Sequence, residues 1–232
     1  KIIGPAGSGK SVVLIGKAAK AIKNNQKVLL IVYNKTLRGY LSSLCTRKPF
    51  SFNPHKIKIL HFHGWINEVG KNFGIDIFSR NKNDDKENFL NVIAPNKIKK
   101  LLSEKNAKKY DVVLVDELND MYPDWIDILS RVLKDKGKLI VAGDNTQNIY
   151  KRNSENMMSK LDDLDFKEQS SSQELRDSHR LPEDMINILQ KFLSYFPMKD
   201  SSLPVVPKQM NLQLDESAHK GTFGKWINIQ DI

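Results

Sequence analysis

Residues 4–11 read GPAGSGKS, and no other stretch constrains the fold of this chain as tightly. The segment matches the pattern G-x-x-x-x-G-K-[ST]. The apolar pair Ile2 and Ile3 precedes it and reads as the end of a strand. An apolar period over Val12, Ile15, Ala19 and Ile22 follows it and reads as a helix from about Lys10. Strand, glycine-rich turn and helix in that order form the context in which the motif cradles phosphate. The glycines let the backbone wrap closely, and successive N–H groups together with the helix N-terminus then face an anion. Lys10 adds a positive charge toward the terminal phosphates. Ser11 offers a hydroxyl to Mg²⁺.

The rest of the chain repeats short apolar runs separated by helical periods, which predicts a parallel sheet with helices on both faces. The run from Lys27 to Tyr33 is almost continuously apolar, as expected of a strand covered on both faces. Further strands are expected over Ile57 to Phe62, Asp111 to Val115 and Lys138 to Ala142. Helices are expected over Thr36 to Arg47, His63 to Val69, Ile98 to Lys105, Asp124 to Leu133 and Glu183 to Leu193. Phe73 to Pro95 is the least regular stretch, and the polar run from Arg80 to Glu87 reads as a loop. No internal repeat is visible.

Two strand ends carry chemistry. VVLVDE (112–117) places Asp116 and Glu117 just beyond an apolar strand, and parallel sheets bind ligands beyond the carboxyl ends of their strands. Asp116 is therefore expected to share a crevice with Ser11 and to anchor Mg²⁺, directly or through water. Glu117 is the candidate base that orients an attacking water. A third strand end leads into GDNTQ (143–147). Gln147 can both donate and accept there, so it could sense the terminal phosphate or its water.

Composition limits the partners. The 232 residues carry 37 Lys and Arg against 27 Asp and Glu, a formal charge of +10, which points to a polyanionic partner. A hydrophobic share of 40% argues against general disorder. The lone Cys45 excludes a disulfide framework and suits a reducing, cytoplasmic setting. No apolar run approaches the ~20 residues of a membrane span, and no signal-peptide pattern opens the chain. His55, His61 and His63 lack the partners of a metal set. Because the chain starts at Lys1 and becomes proline-rich after Pro197, it reads as part of something longer.

Six ordered segments resemble the UvrD/Rep-like branch of superfamily 1 helicases: GPAGSGKS (4–11), YNKTL (33–37), HFHGW (61–65), VDELND (115–120), GDNTQNIY (143–150) and LRDSHR (175–180). The resemblance covers about residues 1 to 190. It implies a three-layer α/β P-loop NTPase of RecA-like architecture, with a central, mostly parallel sheet and a small helical insertion. Residues 1–196 would form this ATP-binding domain, with a helical, basic insertion over about 66–109. Residues 197–232 would be an extended connector toward a second RecA-like domain. ATP and Mg²⁺ are the implied cofactors. Gly4, Pro5, Ala6, Gly7, Ser8, Gly9, Lys10 and Ser11 would hold ATP, Ser11 and Asp116 the metal. Lys10, Glu117, Gln147 and Arg180 would be catalytic, Arg180 by reaching the γ-phosphate. His179 stands where the family usually has a tyrosine that stacks on adenine.

By the same resemblance, Tyr33, Asn34, Lys35, Phe62 and His63 would line a track for single-stranded DNA, possibly a duplex with a single-stranded tail. Arg152 would replace the family's base-stacking tryptophan. Stacking and phosphate contacts are what such a track requires. A lysine-rich stretch from Lys97 to Lys109 offers a further basic surface. Two departures stand out: Asn119 replaces the usual glutamine, and Lys151-Arg152-Asn153 carries no aromatic ring. The family's adenine-reading glutamine segment would precede Lys1. The implied activity is a DNA helicase or translocase motor that hydrolyses ATP, weakly as this segment alone. An ATP-switched nucleic-acid-binding module without unwinding, or a P-loop kinase for a small molecule, are the rival classes.

Overall fold

The computed structural model describes residues 1–80, 85–144, 172–179 and 182–195. The expectations for Gln147, Arg152, Arg180 and the 197–232 connector lie outside them. The elements run β1 (Ile2–Ile3), α1 (Lys10–Lys23), β2 (Val28–Val32), α2 (Lys35–Thr46), β3 (Ile57–His61) and α3 (Phe62–Asn72). A helical turn α4 (Lys86–Asn88) passes through a π-helical turn at Phe89–Ile93 into α5 (Ala94–Glu104). Then come β4 (Tyr110–Val115), α6 (Pro123–Ser130), β5 (Leu133–Gly143), β6 (Gln173–Glu174) and α7 (Glu183–Tyr195). The sheet has six strands in the order β3-β2-β4-β5-β1-β6, and every pair is parallel.

The apolar strands are continuous because each face of the sheet is covered. Along β2, Leu29 and Ile31 point into one core, while Val28, Leu30 and Val32 point into the other. Along β4, Val113 and Val115 join the first core, and Val112 and Leu114 the second. The first core is closed by Trp65 and Ile66 of α3, Ile98 and Leu101 of α5, and Trp125, Ile128 and Leu129 of α6. The second is closed by Leu14, Ile15, Ala18 and Ile22 of α1 and by Leu41 and Cys45 of α2. This is the expected three-layer α/β architecture. Val12 falls to the side of α1's buried stripe and is 41% exposed.

Three local expectations change. The helix expected from His63 starts at Phe62. Positions 62, 65 and 66 then share one helical face, and all three are buried. The stretch expected to be irregular before Pro95 contains α4 and the π-turn, started by Asp85, whose carboxylate accepts from the N–H groups of Glu87 and Asn88. The strand expected from Lys138 begins at Leu133, opposite Tyr110, while Lys138 pairs with Val112. The residues between bulge outward. Lys134 returns to Asp111 at 2.7 Å, and Asp111 also accepts from the backbone N–H of Lys27 at 2.8 Å. One carboxylate thereby ties together the amino ends of β2, β4 and β5.

Phe62 lies flat against Trp125, with ring centroids 4.1 Å apart and planes 5° from parallel. Truncating either ring should cost about 3–5 kcal/mol of stability. Urea denaturation of Phe62→Ala and Trp125→Ala checks this, with the half-exposed Tyr40→Ala as a control expected within about 0.5 kcal/mol of wild type.

Candidate active site

The glycine-rich turn connects β1 to α1. Gly9 precedes the helix with φ +88°, a conformation that L side chains rarely adopt, and no side chain caps the first turn of α1. The helix N-terminus is therefore presented as bare N–H groups, with no acidic residue in its first turn. Gly4 is required for a different reason. A Cβ there would stand 2.6 Å from the Leu175 carbonyl oxygen and 2.6 Å from Ser8 Oγ. The LRDSHR segment lies that close because it runs beside β1 and then over the turn. Leu175 N–H donates to Ile3 O at 2.7 Å, Ser178 Oγ to Ala6 O at 3.1 Å, and His179 N–H to Gly7 O at 2.9 Å. The first and last of the six segments are thus one construction.

Lys10 is nearly buried, and its ammonium donates to the carbonyls of Gly4 and Pro5 at 2.9 and 3.0 Å. The Ser8 hydroxyl is buried with no hydrogen-bond partner among the described residues. An unmet buried hydroxyl is costly, so it marks a place where a polar ligand would be welcome.

Ser11 Oγ donates to Asp116 Oδ2 at 2.6 Å. These residues follow β1 and β4, which are not neighbours, since β5 lies between them. The bond closes a gap across one strand and brings the serine and the carboxylate to one point at the carboxyl edge of the sheet. Asp116 is fully buried. Burial pushes its pKa up from the ordinary 3.8, opposed by the Ser11 hydroxyl, the Glu117 N–H and the Lys10 charge.

Glu117 has φ +53°, a left-handed backbone that favours glycine and strains a glutamate. Burial is also the first cause raising its pKa from 4.5. The charges of Asp116, Asp120 and Asp144 add to the rise, and Lys10 opposes it. Four carboxylates thus converge beside one lysine. Asn119, the residue that departs from the family pattern, accepts at Oδ1 from the Asp144 N–H at 2.9 Å. It ties the turn after β4 to the end of β5, from which the Gln147 segment continues.

The structure therefore brings together Lys10, Ser11, Asp116 and Glu117 and sets the His179 backbone on the same turn. The nucleic-acid set fares differently. Phe62 is a core residue stacked on Trp125, so the expectation that it lines a surface track is corrected. His63 packs edge-on against Trp125, and its Nε2 lies 3.0 Å from Leu90 O. Asn34 caps α2, accepting from Thr36 N–H and Oγ1, and Lys35 is exposed beside it. Tyr33 is half-buried against the first core. Sequence reasoning weighed His61 only as a metal ligand. Its ring covers Gly64, where a Cβ would meet it at 2.5 Å. Burial lowers its pKa, with the charges of Lys35, His63 and Arg38 acting in the same direction. The lysine-rich stretch is engaged within the fold: Lys99 pairs with Asp127 at 2.9 Å, and Lys97 and Lys105 lie over the Phe89 and Phe73 rings.

A family model described as AAA domain (AAA_19) matches residues 1–153, two thirds of the chain and all of the turn, β4 and β5 just described. The chain belongs to that AAA domain family. It is also similar to the mitochondrial ATP-dependent DNA helicase HMI1 of Saccharomyces cerevisiae, 32% identical over 111 residues, which are 47% of this chain and 14% of that protein. Among solved structures it overlaps the helicase domain of Pyrococcus furiosus Hef (15% identity, TM-score 0.45, 89% of this chain and 46% of that one). It also overlaps a Pif1 helicase from a pair coordinating on forked double-stranded DNA (17%, 0.41, 86% and 45%) and Bacteroides sp Pif1 in complex with ADP-AlF4 (16%, 0.38, 86% and 43%). The family match and the parallel sheet with its glycine-rich turn make this an α/β P-loop NTPase unit. None of its described helices is long and apolar enough to cross a membrane.

The raised carboxyls give a test. The folded, unliganded AAA domain holds protons at pH values where the unfolded chain has released them. Its stability therefore falls as pH rises from the ordinary carboxyl range through the higher folded values. Glu117→Gln should raise the urea midpoint more at about pH 8 than at about pH 5. A difference independent of pH contradicts the assignment.

Proposed function

We propose that this chain is the ATP-hydrolysing motor domain of a superfamily 1 DNA helicase or translocase, dependent on Mg²⁺ and stimulated by single-stranded DNA. The observation that carries the reading is the Ser11–Asp116 bond across the strand between them, with Lys10 and Glu117 at the same edge. An NTPase needs these four groups around one terminal phosphate.

The donor chemistry suits a hard divalent cation. A neutral hydroxyl and a buried carboxylate stand 2.6 Å apart, and oxygen ligands of this kind hold Mg²⁺ together with substrate phosphates and water. When bound, Mg²⁺ would neutralise charge on the phosphates. The chain's own residues do the rest. The bare first turn of α1 and the Lys10 ammonium bind the phosphate tail. Lys10 exchanges the Gly4 and Pro5 carbonyls for phosphate oxygens, and the Ser8 hydroxyl gains a partner. Glu117 orients the water and takes its proton, and its raised proton affinity suits that task. His179 stacks on adenine, while Gln147 and Arg180 complete the γ-phosphate contacts. A second RecA-like domain of the same protein closes the cleft.

For nucleic acid, Asn34 and Lys35 at the start of α2 are the proposed phosphate contacts, with Tyr33, His63 and Arg152 beside them; Phe62 has no part. HMI1 is named as a DNA helicase, which favours DNA as the partner. Asn119 links the β4 turn to β5, so that departure lends no support to a switch module without unwinding. The chain spans 14% of the length of HMI1, so unwinding belongs to the larger assembly.

ATP turnover by the full-length protein, with and without single-stranded DNA, tests the proposal. Lys10→Ala should abolish stimulated turnover. Glu117→Gln should lower kcat by about 10²- to 10⁴-fold while ATP still binds. Unchanged turnover in both variants contradicts the proposal. Lys35→Ala should weaken single-stranded DNA binding and reduce its salt slope by about one. Displacement of a strand from a tailed duplex separates the motor from an ATP-switched binding module.

A further inference from the structure

We infer that the open edge of the sheet along β3 is a docking groove for an acidic, extended peptide segment of a partner protein, anchored by one bulky apolar side chain. The groove lies away from the nucleotide site. The phosphate turn, Asp116 and Glu117 all follow the carboxyl ends of strands, whereas this groove starts at their amino ends. There Lys27 precedes β2, Lys56 precedes β3, and Lys108 and Tyr110 lead into β4.

Three observations define the occupant. First, β3 is the outermost strand of the sheet, and among the described residues nothing pairs with its outer side. An exposed strand edge offers a row of backbone donors and acceptors, and an extended peptide is the ligand that matches it. Nucleic acid has no backbone N–H groups to offer in return. Second, the groove beside β3 encloses about 620 Å³ and is cationic. Lys27, Arg38, His55, Lys56, Lys58 and Lys108 line it against a single carboxylate, Glu68. Glu68 is held by Lys58 in an ion pair, so positive charge is in excess along the lining. Charge complementarity therefore calls for acidic side chains.

Third, a smaller cavity of about 230 Å³ adjoins the groove and shares Lys58, Glu68, Lys108 and Tyr110 with it. Trp65, Val69, Phe73, Tyr110 and Val132 form an apolar wall within it, and Asn72, Asn106 and the shared charged residues also line it. Lys108 lies 5.8 Å from the Tyr110 ring at the boundary between the two. The Tyr110 pKa is pushed up to about 12, by burial and then by the Glu68 charge, so its hydroxyl stays a neutral donor. A pocket of this size accepts one side chain. A strand edge, a cationic flank and a single pocket with an apolar wall together specify backbone pairing, acidic neighbours and one anchor residue.

Fluorescence anisotropy on the full chain provides the test. The probe is a labelled seven-residue peptide with a central leucine flanked by alternating glutamate and valine. A second peptide replaces the leucine with serine, and an unlabelled oligothymidine is the competitor. Saturable binding of the leucine peptide is expected, with the serine peptide at least about tenfold weaker. Lys56→Glu combined with Lys108→Glu should weaken binding at least about tenfold. Ala107→Trp, on the loop that walls the smaller pocket, should reduce it by filling the anchor site. Both variants should keep the wild-type melting temperature and ATP affinity, which shows that they fold.

Three results overturn the inference. Equal binding by the charge-reversed variant would remove the electrostatic basis. Displacement of the peptide by oligothymidine at equal charge would make the groove a polyanion track. No saturable binding would mean that the lysines only guard the edge from aggregation. None of these outcomes depends on whether the AAA domain hydrolyses ATP.

Discussion

The hydrogen bond between Ser11 and Asp116 is the contact on which the arrangement of the site depends. It spans a strand, since β5 separates the two chain segments that contribute it. Without it, a buried carboxylate would lack a side-chain partner in a low-dielectric interior, an expensive state for any acid. With it, the phosphate turn and the β4 edge are held at one distance. Lys10 and Glu117 then occupy the same pocket because they are the next residues along those two segments.

The sheet supplies what that contact requires. Parallel strands end on one side, so loops that are distant in sequence meet there. The two cores hold the strands between helical layers, with β2 and β4 sending alternate residues to each face. At the opposite end, Asp111 fastens β2, β4 and β5 through Lys27 and Lys134. Lys134's hydrogen bond holds its carboxyl below the ordinary range, the Lys27 N–H acting in the same direction. The contrast with Asp116 is instructive. One aspartate is solvated and paired and stays ionised. The other is buried, and burial raises its pKa against the Ser11 hydroxyl, the Glu117 N–H and the Lys10 charge.

Much of the site was legible in the sequence because short motifs encode it locally. GPAGSGKS and VDE each carry their own backbone requirement, and the fold only had to bring two strand ends together. The strained backbone of Glu117 is a different matter, since nothing in its residue type signals a positive φ. The resemblance assigns Phe62 to the track, and the apolar pattern extends β3 one residue too far. As the first residue of α3, Phe62 faces inward with Trp65 and Ile66. Its partner Trp125 lies on α6, and no local pattern announces a stack between distant helices. The pairing of Leu133 with Tyr110 was hidden for a similar reason: the helical period from Asp124 extends to Leu133, whereas the strand begins there. Asn119 read as a departure from a family pattern, and only the folded chain shows that it accepts from the Asp144 N–H.

The central claim is that Ser11 and Asp116 act as one unit in holding the nucleotide. A double-mutant cycle measures this directly. ATP affinity in the presence of Mg²⁺ would be determined by calorimetry for wild type, Ser11→Ala, Asp116→Asn and the double variant. Residues that work as a unit lose their effect together, so the double variant should bind no more weakly than the worse single one. Losses that simply add would mean the two residues act independently, and that result would contradict the account.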